Sequence, residues 1–73
     1  MSRIDVLSEV TGKVWKLQLA VGASVTTDDS IMVVESMKME IPVFSGESGT
    51  LTEIRVAEGD SVEEGQIVAV IET

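Results

Sequence analysis

The chain has no cysteine, no histidine and no tyrosine among its 73 residues. Without cysteine it forms no disulfide and offers no thiolate. That suits a reducing compartment, and a soluble, cytoplasmic protein is the expectation. Without histidine it lacks the side chain most used for acid–base work near neutral pH. Arg3 and Asp5 break up the N-terminus, and no apolar run of the signal-peptide kind follows. No apolar stretch approaches the roughly 18 residues of a membrane span. Basic residues are also scarce, five against 13 acidic ones, for a net charge of −8. That balance argues against nucleic acid, whose phosphates demand Lys and Arg, and against anionic membrane surfaces. It suits solubility and docking on a basic partner.

What the chain does have is a repeat. Displaced by 37 positions, its first half lies on its second without a gap. Ile4 falls on Ile41, Val6 on Val43, Ser8 on Ser45, Gly12 on Gly49 and Ala20 on Ala57. Gly22 falls on Gly59, Ser24 on Ser61, Val25 on Val62, Val33 on Val70 and Glu35 on Glu72. These are 10 identities in 36 aligned pairs, 1–36 against 38–73; chance would give roughly two or three. One small domain, 1–73, built on a two-fold scaffold is expected. A domain of this size buries only about 60% of its unfolded surface, so its core must be efficient.

Residue choice is β throughout. Short runs rich in Val and Ile are separated by Gly, Asp and Ser clusters. Strands are predicted over 4–8, 13–19, 31–35, 40–44, 50–56 and 67–71, with short additions at 24–25 and 61–62. The loops Val21-Gly22-Ala23-Ser24 and Glu58-Gly59-Asp60-Ser61 match, each with a glycine able to take positive φ. Asp28-Asp29 and Gly65-Gln66 should close the next pair of turns. Both halves share an irregularity: Val14 and Leu17 are three apart, as are Leu51 and Ile54. A period-2 strand cannot place residues three apart on one face. Either Val14 and Leu51 face away from the core or a bend intervenes, and the recurrence favours the bend. The expected core pairs are Ile4/Ile41, Val6/Val43, Leu17/Ile54, Leu19/Val56, Val25/Val62, Ile31/Val68 and Val33/Val70. Val34/Ile71 would add bulk on the opposite side.

Near the midpoint of the repeat lies Glu35-Ser36-Met37-Lys38-Met39-Glu40. This run resembles the attachment motif of biotinyl domains, in which a Met-Lys-Met triplet carries the biotinylated lysine. The resemblance covers nearly the whole chain, including Ser48-Gly49-Thr50, Glu58-Gly59-Asp60-Ser61-Val62 and the closing segment around 67–72. The chain is similar to biotin carboxyl carrier domains, and in size to the minimal biotin/lipoyl attachment proteins of bacteria. The resemblance implies an all-β flattened barrel-sandwich hybrid of two four-stranded antiparallel sheets, with quasi-two-fold symmetry and the lysine at a hairpin tip. It also implies covalent biotin on Lys38, with no catalysis by the domain itself. A biotin protein ligase would attach the group. A biotin carboxylase would load a carboxyl on it, and a carboxyltransferase would pass the carboxyl to an acyl-CoA or similar acceptor.

The chemistry asks for lysine at that point. A primary amine on a long stem can attack an activated acyl group and leave a stable amide, and arginine cannot. A solvated lysine is almost wholly protonated at neutral pH, so the resemblance implies that the ligase also supplies the base. Met37 and Met39 are implied ligase contacts; the plainer reading makes them flexible apolar filler. In a continuous strand they would point opposite to Lys38, whereas a tight turn would expose all three. Glu35 belongs to the recognition motif too, but its mate Glu72 sits near no lysine, so a structural role stands beside the functional one. Asp28-Asp29 and Glu63-Glu64 lack the spacing of a calcium loop, and no metal is expected. Trp15, whose mate is Thr52, should be half exposed, and Lys13 and Lys16 should be ordinary solvated charges. A monomeric domain is expected. A lipoyl carrier on the same fold is the alternative, although lipoyl domains typically show Asp-Lys-Ala where this chain has Met37-Lys38-Met39. An unmodified structural or adaptor domain is a third reading.

Overall fold

Runs of β-branched residues bounded by turn chemistry give strands and nothing else in the computed structural model, which describes residues 2–73. The strands are β1 (Arg3–Leu7), β2 (Gly12–Leu17), β3 (Ser24–Val25), β4 (Ser30–Ser36), β5 (Met39–Phe44), β6 (Gly49–Ile54), β7 (Ser61–Val62) and β8 (Ile67–Glu72). They form two four-stranded antiparallel sheets, one in the order β1-β8-β6-β3 and the other β5-β4-β2-β7. Moving 37 residues along the chain turns one order into the other, so the sequence repeat is a structural two-fold. Each sheet takes two strands from each half. Neither half can pair its own strands into a complete sheet, and the repeat units are interlocked.

The bend expected in both halves is present. In β2 the register with β4 slips between Val14 and Lys16, and in β6 the register with β8 slips between Leu51 and Glu53. Val14 and Leu51 are both buried. A bulge lifts one residue out of the ladder, here Trp15 in β2 and Thr52 in β6. The residue before each bulge is bonded on its other side by the opposite half. Val14 N–H donates to the Asp60 carbonyl and its carbonyl accepts from Gly59, each at 2.8 Å. Leu51 does the same with Ala23 at 2.9 Å and Gly22 at 2.7 Å. The matched glycine loops are thus docked on the matched bulges.

The core runs between the sheets and contains Val6, Val43, Val25, Val62, Ile31 and Val68, as expected. One pair is reversed. Val34 and Ile71 point into the central cluster, together with Met32 and its mate Ala69. Val33 and Val70 lie outside that cluster, yet are only 8% and 4% exposed. Alternation separates Val33 from Val34 but does not say which face is the core when both are apolar. Ile4, Ile41, Leu17, Ile54, Leu19 and Val56 are only partly buried. The two long strands also stop earlier than predicted, at Leu17 and Ile54. Beyond Leu17, Gln18 and Leu19 both donate to the Ile31 carbonyl and the chain leaves the ladder. The Asp29 and Gln66 turns are centred one residue early. Thr26 N–H donates to the Asp29 carboxylate at 3.0 Å, and Glu63 N–H to the Gln66 side-chain oxygen at 2.9 Å.

Candidate functional site

Strands β4 and β5 pair up to Glu35 with Glu40 and Ser36 with Met39. Only Met37 and Lys38 remain to close the hairpin. Both have positive φ, 51° and 67°, the combination of a type I′ turn. That turn matches the right-handed twist of paired strands and normally selects Asn-Gly. Methionine and lysine have no such preference, and each left-handed residue costs about 1–3 kcal/mol. Strain of this kind is held by the flanking ladder. The turn leaves Lys38 exposed, Met37 93% exposed and Met39 63% exposed. All three side chains of the triplet therefore reach solvent, which removes the reading of Met37 and Met39 as core filler.

Glu35 is exposed on β4, level with Glu40 on one side and Lys13 on the other. Among the described residues the ion pairs are Arg3–Asp5 and Arg55–Glu53, so Glu35 does not clasp Lys38. Lys13 and Lys16 lie within β2 rather than in a turn, with Lys13 level with Glu35. Trp15 is 51% exposed at the β2 bulge. The Asp29 carboxylate is engaged in its own turn. A groove of about 480 Å³ lined by Leu7, Phe44 and Glu64 among others includes no residue of the Met37-Lys38-Met39 triplet.

The base of the hairpin is gripped from the start of β2 and the loop before it. A Cβ on Gly12 would collide with the Glu35 carbonyl, so only glycine permits that approach. Next to it, the Ser36 hydroxyl donates to the Thr11 carbonyl at 2.8 Å. The Thr11 hydroxyl in turn accepts from Glu64 N–H at 3.1 Å. Sequence reading missed Ser36 and Thr11 as a unit, because they are 25 residues apart and neither carries a charge. Strand β1 starts beside Thr73, which bonds Ser2 in both directions, and runs toward Ser8, Gly65 and the Thr11 loop.

A two-fold β sandwich that projects one lysine from a strained tip has the form of a carrier-type attachment domain. Residues 5–71 match the family described as "Biotin-requiring enzyme", and the chain belongs to the biotin/lipoyl attachment family. It is 36% identical over 67 residues to the biotinylated protein TB7.3 homolog of Mycobacterium leprae, covering 92% of this chain and 94% of that one. It is 35% identical over 60 residues to the biotin/lipoyl attachment protein of Bacillus subtilis, covering 82% of each. The urea carboxylase of Kluyveromyces lactis contains the same fold, with a TM-score of 0.93 and 39% identity. That match covers 99% of this chain and 6% of the carboxylase. The expected fold is borne out, and the chain is a non-catalytic carrier domain.

Proposed function

We propose that this domain carries biotin in amide linkage to Lys38 and moves a carboxyl group between two enzymes. The observation that carries the reading is the tip itself: the exposed Lys38 stands on a two-residue turn of left-handed residues at the end of the β4–β5 hairpin. A tether has to enter two active sites in turn, and an unburied attachment point leaves it free to do so. The Lys38 nitrogen attacks the acyl carbon of biotinyl-adenylate within the ligase. The acyl–phosphate bond breaks, AMP leaves, and the amine gives up its proton to the ligase. Once bound, biotin supplies a ureido nitrogen that takes up and releases a carboxyl group.

The domain contributes position and local concentration. A tethered group is present at each active site at an effective concentration set by the reach of its linker. The partners are a biotin protein ligase, a biotin carboxylase and a carboxyltransferase, the last choosing an acyl-CoA or similar acceptor. Met37, Met39 and Glu35 form the surface that the ligase reads around Lys38.

Intact mass of the protein produced with and without a biotin ligase tests this. The wild type should gain one biotinyl group with the ligase, Lys38→Arg should gain none, and Lys13→Arg and Lys16→Arg should behave like the wild type. Label persisting on Lys38→Arg would overturn the assignment. The name of the Bacillus relative joins biotin to lipoyl, which supports lipoate on the same lysine as a second reading. The same measurement with a lipoate ligase, whose product has a different mass, separates the two.

A further inference from the structure

The two-fold supplies an internal control for what the fold needs and what the tip needs. Features required by the sandwich should occur in both halves. Gly12 and Gly49 satisfy that test. A Cβ on Gly12 meets the Glu35 carbonyl, and one on Gly49 meets the Glu72 carbonyl at 2.6 Å. The link from Ser36 does not. Its hydroxyl reaches out of the hairpin to the Thr11 carbonyl in the β1–β2 loop. Its mate, Thr73, instead turns its hydroxyl across the strand pair to Ser2, at a long 3.4 Å. Thr11 carries a second link, from its hydroxyl to Glu64 N–H at the β7–β8 turn. The base of the β4–β5 hairpin is therefore tied through Thr11 to two further loops, and among the described residues Thr73 makes no matching link.

The place of this link matters. Ser36 immediately precedes the two left-handed residues Met37 and Lys38. A hairpin end is the first part of a ladder to fray, and a strained turn has a reason to relax when its base opens. We infer that Ser36, bonded to Thr11, is a positioning residue that holds the Lys38 turn in the geometry its modifying enzyme accepts. Ser36 touches neither the amine nor the incoming acyl group. It acts by limiting how far the amine wanders from the orientation in which attack occurs, and small misplacements of a reacting group have large rate costs.

The inference rests on the proposed attachment at Lys38, and the experiment keeps the two apart. Ser36→Ala removes the donor and Ser36→Thr retains a hydroxyl. Each full-length variant is modified by a biotin ligase with ATP and biotin, and kcat and KM for the carrier are measured together with urea midpoints. Ser36→Ala should lower kcat by about five- to tenfold with KM and the urea midpoint little changed, and Ser36→Thr should recover most of the loss. Amide exchange at Lys38 and Met39 should quicken in Ser36→Ala only. Wild-type kcat in Ser36→Ala, with Lys38 still the labelled residue, would overturn the brace and leave the attachment site standing. A fall in urea midpoint that accounts for the lost rate, with no recovery in Ser36→Thr, would reduce Ser36 to a structural residue. Label elsewhere than Lys38 would overturn the attachment reading itself.

Discussion

Val14 and Leu51 occupy the same place in the two halves of the sandwich: each sits at a bulge, is buried in the core, and has both backbone groups taken by a glycine loop from the other half. Each therefore joins the halves twice, by side chain and by main chain. Leu51→Ala should destabilise by about 2–5 kcal/mol, and Val14→Ala by about 1–3 kcal/mol for its fewer methyl groups. Denaturant melts check both figures. A cost below about 0.5 kcal/mol at either site would mean that the bulge does not anchor the interlock.

Gly12 and Gly49 make a second matched pair. Added Cβ atoms would run into the backbone carbonyls of Glu35 and Glu72, and backbone cannot step aside as a flexible side chain can. Gly12→Ala and Gly49→Ala should each cost about 1–3 kcal/mol. Gly12→Ala should also slow modification of Lys38, because the strand it displaces leads to the tip. Gly49→Ala should leave the modification rate of the remaining folded protein unchanged. Urea melts paired with ligase rates make the comparison.

The methionines separate recognition from stability. Met37 and Met39 are exposed, so Met37→Ala and Met39→Ala should stay within about 0.5 kcal/mol of the wild type. Both should nevertheless slow modification by a biotin ligase. Lys38→Ala should likewise leave the urea midpoint where it is while abolishing modification. If Met39→Ala destabilised by several kcal/mol, Met39 would be packing the hairpin rather than facing a partner.

The strained turn yields a trade-off. Asparagine tolerates the left-handed region far better than methionine. Met37→Asn should therefore raise stability by about 0.5–1 kcal/mol, within the range of other conformational repairs. The same change removes an exposed thioether beside Lys38 and should lower the ligase rate. A thermal or urea melt and a biotinylation time course on one preparation show both effects.

Much of this arrangement was legible in the chain. The 37-residue repeat and the recurring three-residue gap at Val14/Leu17 and Leu51/Ile54 pointed to paired bulges, and both are there. The motif around Lys38 pointed to a tip, and the turn of two left-handed residues provides it. Val33 and Val70 are buried as expected, but Val34 and Ile71 are the pair that joins the central cluster. Both sides of β4 are apolar, and alternation carries no sign. Ser36 and Thr11 were not paired, since a hydroxyl gives no hint of a carbonyl 25 positions away.

Which segments are strands, roughly where they turn and that two halves share one design could all be read from the chain. These follow from local steric preference and from a repeat that can be counted. Only the tertiary structure decided that each sheet borrows strands from both halves, which of two apolar faces is the core, and which loop grips the base of the lysine hairpin. Those outcomes depend on how the sheets close over one another. Burial and hydrogen-bond satisfaction between distant residues then select one arrangement from several that local chemistry permits equally.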